Sequence, residues 1–156
     1  MVFRSGARTA TGAGTLVAFL LVLIFGSPWY VDWVQQGNRG LFLETLAWPS
    51  WTFDTSLAVR ELLARDLKAI LLVAFTALFI TLMAGAQLSR ARGTISAILA
   101  GWAAYIFAAA LAAMLTAFIL ADASLGSATI AAAGGATYAL IVGWIVGIAS
   151  MAGRRP

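Results

Sequence analysis

Four long runs of apolar residues contain no charged side chain, and this feature limits the possible fold more than any other. The runs cover residues 13–29, 69–88, 94–121 and 128–152. An α-helix rises 1.5 Å per residue, so about 20 residues cross the roughly 30 Å hydrocarbon core of a bilayer. Charged residues make up only 10% of the chain, against about 25% in a soluble domain. We predict an all-α polytopic membrane protein, a four-transmembrane-helix bundle forming one domain over residues 1–156.

The first run has two possible interpretations. Arg4 and Arg8 precede it without an acid, and the small pair Gly26 and Ser27 follows its apolar centre, a pattern that cleaved signal peptides also show. Pro28 directly after the small pair disfavours cleavage there, and three more apolar runs follow. We therefore predict a retained first transmembrane helix.

The connector between the first two runs, residues 30–68, is the most elaborate part of the chain. It contains or adjoins four of the six tryptophans, namely Trp29, Trp33, Trp48 and Trp51. Tryptophan prefers the headgroup layer of a bilayer, where its ring is half in hydrocarbon and its N–H can meet water. We predict an outward interfacial loop that lies along the membrane and includes a short helix over 41–48. An aromatic pocket for a lipid or glycan is the alternative to this anchoring role.

A charged amphipathic segment, residues 55–68, passes into the second run without any Gly or Pro, which predicts one long helix over 54–87. Its apolar residues recur at spacings of three and four. The opposite face carries Arg60, Glu61, Arg65, Asp66 and Lys68. Glu61 and Arg65 have the i,i+4 order that stabilises a helix. This face is either a docking surface for a partner or a solvated face whose long side chains extend to the headgroups.

The distribution of charge predicts the orientation. One side of the membrane would hold six arginines and no acid: Arg4, Arg8, Arg90, Arg92, Arg154 and Arg155. The other side would hold all six acids and the remaining four basic residues, in the connector and in the turn over 122–127. The positive-inside rule therefore places both termini, and the turn over 89–93, in the cytoplasm. The Arg, Ala and Gly content is typical of a GC-rich bacterial genome, so we expect the bacterial cytoplasmic membrane.

Small residues recur every four positions in the fourth run, at Ala131, Gly135, Ala139, Gly143 and Gly147. The third run has a matching set in Ala97, Gly101, Ala104, Ala108 and Ala112. Close backbone approach at small residues is what holds helices together in lipid. These patterns predict an antiparallel hairpin of the third and fourth helices, with homodimerisation through Gly143 and Gly147 as the alternative.

The residue types exclude several chemistries. The chain has no Cys and no His, which removes disulfides, thiol chemistry and thiolate or imidazole metal sites. No ionisable side chain lies within the four runs, where proton relays and ion paths would place one. The basic residues lie at membrane boundaries, which favours topology signals and contacts to anionic lipid over nucleic acid. We therefore expect no catalytic residue, cofactor, metal or nucleic-acid partner.

Three functions remain open. The leading prediction is a non-enzymatic accessory, scaffold or assembly subunit that binds a membrane-protein partner or forms a homo-oligomer. Its expected partner surface comprises Trp29, Trp33, Trp48, Trp51, Arg60, Glu61, Arg65 and Asp66. The second is a small oligomeric transporter or channel for a neutral or small solute, with Tyr105, Thr116 and Tyr138 along the path. The third is a membrane enzyme acting on lipid-linked substrates through the outward carboxylates Glu44, Asp54 and Asp66.

Overall fold

The protein is all α-helical in a computed structural model that describes residues 3–36, 48–53, 58–87, 93–120 and 124–152. The described residues form five helices, which are α1 (Phe3–Phe25), α2 (Pro28–Gln36), α3 (Val59–Gln87), α4 (Thr94–Leu120) and α5 (Leu125–Ala152). The predicted all-α class is confirmed. The predicted short helix over 41–48 lies outside the described residues except for Trp48, and so does the turn before Gly93.

The four long helices pack in a ring, with α1 beside α3, α3 beside α4, α4 beside α5, and α5 back against α1. Successive long helices are antiparallel. The Thr11 and Thr81 hydroxyls, 3.5 Å apart, join the start of α1 to the end of α3. Arg60 at the start of α3 donates to the carbonyl of Ile119 at the end of α4. The N-terminal part of α1 and the C-terminal part of α5 therefore lie at the same end of the bundle.

Within the described parts of the chain, three helical segments are long and apolar enough to cross a membrane: Val59–Met83, Thr94–Ile119 and Leu125–Ala152. A fourth crossing results if Ala10–Phe25 and Pro28–Val34 are counted together, because this pair passes the same test with a bend of 57°. The apolar helices thus indicate a membrane-embedded protein.

Small side chains fill the core and large ones cover its outside. Ala18, Ala104 and Ala108 are fully buried, and most of the buried apolar residues are alanines. On the outside, Ile70 is 64% exposed and Ile130 is 75% exposed. This arrangement brings helix backbones close together, which is the usual source of helix association in lipid. In water, the same outer surface would be a large exposed apolar patch.

The first helix ends four residues earlier than the apolar run suggested, at Phe25 rather than Trp29. Pro28 lacks an N–H and its ring would clash with the preceding helical turn, so it begins α2 instead of continuing α1. The Pro49 carbonyl occupies the space that a Cβ on Gly26 would need. Only glycine therefore allows the loop to pack this closely against the bend. The helix α2 over Pro28–Gln36 was not predicted from the sequence.

The other helix starts have local causes. The helix α3 is unbroken from Val59 to Gln87, as the lack of Gly and Pro before Gly85 predicted, but it begins at Val59 rather than at residue 54. At α5, the Ser127 backbone N–H donates to Ser124 Oγ over 3.3 Å, and the Ser127 hydroxyl donates to the Ser124 carbonyl over 2.9 Å. Ser124 is thus the N-cap, and the helix begins at Leu125, three residues before the predicted run.

Candidate functional site

Two loop tryptophans cap the C-terminal end of α1. Trp48 Nε1 donates to the Phe25 carbonyl over 2.9 Å. Trp51 Nε1 donates to the carbonyls of Val22 and Leu23 over 3.2 and 3.3 Å, and the Trp51 backbone N–H donates to the Gly26 carbonyl over 3.0 Å. The last carbonyls of a helix lack partners in the helix itself. The two indoles therefore satisfy the Leu23 and Phe25 carbonyls at the bend, whereas the Val22 carbonyl also accepts from the Gly26 backbone N–H over 2.9 Å.

Trp48 also links three parts of the fold through its ring. It stacks on Tyr30 of α2, with centroids 6.1 Å apart, and meets Tyr138 of α5 edge-on at 4.9 Å. Phe25 packs edge-on against Tyr30 at 5.1 Å. We call Phe25, Tyr30, Trp48, Trp51 and Tyr138 the aromatic corner. Trp48 and Trp51, which the sequence assigned to the partner surface, lie within this corner and pack against the core.

In and beside the connector, fewer of the described tryptophans are exposed than the sequence suggested, and one phenylalanine is exposed as well. Trp29 is 77% exposed, Trp33 is 57% exposed and Phe53 is 84% exposed. Trp29 and Trp33 are four residues apart and share the outer face of α2, whereas Val34 on its inner face is buried. Phe53 packs on Trp51 with centroids 5.4 Å apart. We call Trp29, Trp33 and Phe53 the aromatic surface. Sequence reasoning missed Phe53, because its only signal is that it is one more apolar residue in the connector.

The charged residues at the start of α3 are mostly engaged within the chain. Arg65 and Glu61 form an ion pair at 2.7 Å with both side chains about 40% exposed, a pair that contributes less than about 1 kcal/mol. Asp66 Oδ1 accepts from the Thr52 backbone N–H over 3.1 Å. Arg60 binds the Ile119 carbonyl as noted above. Arg60 and Asp66 therefore tie α3 to its neighbours, whereas Glu61 and Arg65 pair with each other within α3.

Lys68 faces the bundle rather than the outside. It lines a small interior cavity of about 10 Å³ together with Pro49, Leu72 and Tyr138, a volume that holds about one water molecule. Within the described part of the chain, its ammonium makes no hydrogen bond or ion pair. The sequence had grouped Lys68 with the solvated face because helical periodicity does not show which side of α3 the loop covers.

The five residues predicted to pack helices all lie between α4 and α5. A Cβ on Gly147 would be 2.5 Å from the Ile98 carbonyl oxygen, and one on Gly135 would be 2.5 Å from that of Ala109. Gly143 lies under the rings of Trp102 and Tyr105, Gly101 lies against Gly147, and the Ala139 carbonyl accepts from Trp102 Nε1. Within this chain, α4 therefore occupies the face that the alternative reading assigned to a second copy.

The residues of the two alternative functions mostly have structural partners. Tyr105 and Tyr138 bond to each other over 3.2 Å, and the Thr116 hydroxyl donates to the Ala112 carbonyl over 2.9 Å, so these hydroxyls do not line an open path. Asp66 is bonded to the loop, and Glu44 and Asp54 lie outside the described residues. Among the residues that the structure describes, no cluster of three or more acids could hold a metal ion.

Comparison with known proteins gives no match to this chain, whether among family models, curated proteins or solved structures. A function is therefore inferred from the aromatic surface and the aromatic corner.

Proposed function

We propose that the chain is an integral protein of a bacterial cytoplasmic membrane, crosses the bilayer four times and has both termini in the cytoplasm. The observation that supports insertion is the ring of large apolar side chains around the outside of the long helices, where Phe107 is 56% exposed and Leu82 is 58% exposed. Hydrocarbon would cover this surface without cost. The orientation is inferred from the sequence, in which six arginines and no acid lie in the segments assigned to the cytoplasm.

Cysteine labelling tests this topology directly, because the natural chain contains no cysteine. Gly126→Cys lies at the end of the bundle assigned to the outside, and Gly93→Cys at the end assigned to the cytoplasm. Both glycines are exposed, and the nearest atom to an added Cβ is a serine hydroxyl at 3.7 Å in each case. We expect a membrane-impermeant maleimide to label Gly126→Cys in intact cells and Gly93→Cys only after permeabilisation. The reverse pattern would overturn the orientation, and labelling of both in intact cells would overturn the four crossings.

Within that membrane, we propose that the protein is a non-enzymatic accessory or assembly subunit that binds another membrane protein through the aromatic surface. The supporting observation is that Trp29, Trp33 and Phe53 remain exposed while hydrogen bonds and ring contacts fix the segments that carry them. Exposed tryptophans held on a rigid element are typical of interface hot spots, because little side-chain freedom is lost on binding.

The competing role for the same side chains is anchoring in the headgroup layer, which tryptophan also favours. Photocrosslinking in intact cells distinguishes the two roles. The photoreactive residue p-benzoylphenylalanine would replace Trp33 and, as a matched control, Ile141, which is 52% exposed on α5. We expect a discrete crosslinked protein at position 33 and none at position 141. Lipid adducts alone at both positions would remove the partner and leave only an anchor.

A further inference from the structure

A groove of about 590 Å³ lies between α1 and α3, next to the aromatic surface. Apolar side chains from both helices line it, including Phe19, Leu23, Ile70, Val73 and Ala74. Among the lining residues that the structure describes, the only charged one is Asp66. The groove is therefore suited to an uncharged, apolar ligand.

One wall of the groove is fixed before any ligand enters. Trp51 lines it and is held by the three hydrogen bonds to the end of α1, from its indole to Val22 and Leu23 and from its backbone to Gly26. Phe53 extends this wall by packing on the Trp51 ring. A wall that does not need to be ordered on binding reduces the entropic cost of holding a flexible ligand.

The groove has a polar end and an apolar end. At the loop end, Asp66 and the Thr52 backbone N–H that it binds are polar. Along α3, the lining continues to Ala74, about 12 Å further at 1.5 Å per residue. The rim is open to the lipid-facing surface, since Ile70 is 64% exposed and Leu23 is 44% exposed. An amphiphile can therefore enter sideways, with its polar part at the loop and its tail towards the middle of the bundle.

We propose that this groove binds one acyl chain of a bilayer phospholipid, with the headgroup at the Asp66 end. This inference rests on the proposed membrane insertion. A methylene group occupies a volume close to that of a water molecule, about 30 Å³ in the liquid, so the groove of about 590 Å³ has room for the part of an acyl chain that lies along it. A partner's transmembrane helix is roughly 30 Å long, so most of it would lie beyond the stretch of about 12 Å between Asp66 and Ala74 that lines the groove.

The negative charge of Asp66 at the polar end distinguishes between two molecules that could supply the acyl chain, a free fatty acid and a phospholipid. A free fatty acid would place its carboxylate beside that of Asp66, and like charges at short range repel each other strongly where water is scarce. In a phospholipid, an uncharged ester and glycerol separate the chain from the anionic phosphate, so the negative charge lies further from Asp66 and the repulsion is weaker. The charge of Asp66 therefore favours a phospholipid over a free fatty acid.

Native mass spectrometry of the full chain, extracted in mild detergent from membranes of mixed phospholipids, tests the proposal. Ala74→Trp places an indole in the groove, and Ala133→Trp makes the same change at an exposed alanine of α5 outside it. We expect one phospholipid per chain on the unmodified protein and on Ala133→Trp, and roughly tenfold less on Ala74→Trp, which corresponds to about 1.4 kcal/mol. An unmodified protein without lipid, equal retention in Ala74→Trp, or a fatty acid in place of phospholipid would each overturn it.

Two further measurements separate this inference from folding and from membrane insertion. Ile70→Trp, on the rim of the groove, provides a second blocking variant if Ala74→Trp loses its helical circular dichroism, and it should lose lipid in the same way. Resistance of the unmodified chain to alkaline extraction from membranes reports insertion alone. A chain that resists extraction but retains no phospholipid contradicts the groove proposal and leaves the proposed function standing.

Discussion

Trp48→Ala is expected to lower the free energy of unfolding by about 3 to 5 kcal/mol, the usual range for removing a large packed aromatic side chain. The indole stacks on Tyr30, meets Tyr138 edge-on and donates to the Phe25 carbonyl over 2.9 Å. Its loss would separate α2, the loop and α5 at one point and leave a carbonyl of α1 unpaired. Detergent-induced unfolding in mixed micelles, followed by circular dichroism, measures the change.

Two further variants separate the effect of burial from that of the indole hydrogen bond at Trp48. Trp33→Ala removes the same side chain where it is 57% exposed, so its cost should be within about 0.5 kcal/mol of zero. Trp48→Phe keeps an aromatic ring but removes the N–H, and should cost roughly 1 kcal/mol from the hydrogen bond in addition to any change in packing. Equal effects of Trp48→Ala and Trp33→Ala would show that the aromatic corner does not stabilise the fold.

Gly135→Leu is expected to destabilise the contact between α4 and α5 by at least about 1 to 3 kcal/mol, the usual cost of adding atoms to a packed core. A Cβ at Gly135 would be 2.5 Å from the Ala109 carbonyl oxygen and 2.9 Å from the Ala113 Cβ. Neither neighbour is the end of a flexible side chain, so the two helices must move apart. The same unfolding measurement detects the loss.

Gly12→Leu is the matched control, because nothing lies within 4 Å of a Cβ at Gly12 in α1. Replacing glycine inside a helix should there be neutral or stabilising by up to roughly 1 kcal/mol.

Light scattering on the same samples tests whether the small-residue face of α5 instead forms a homodimer. If the unmodified protein were a dimer, and Gly135→Leu were a monomer of unchanged stability, the packing of α4 on α5 within one chain would be contradicted.

The sequence located part of the candidate site. Trp29 and Trp33, which the sequence assigned to the partner surface, are exposed, and the amphipathic character of tryptophan suits such a position. Trp48 and Trp51 have the same residue type and lie in the same connector, yet they point inward. Their orientation depends on free carbonyls at the end of α1, and those exist only because the chain bends at Gly26 and Ser27. No local pattern in the connector reports on a helix end more than 20 residues away.

By itself, the sequence determined the all-α class, the long apolar helices, the unbroken α3 and the small residues at which α4 and α5 meet. These features can be read from the sequence because charged residues, proline and glycine determine locally where an apolar helix begins and ends. Only the tertiary structure decided which sides of α1 and α3 face the core, where the groove lies and that Lys68 points inward. The physical reason is that core-facing and lipid-facing side chains are both apolar, so hydrophobic periodicity no longer separates inside from outside.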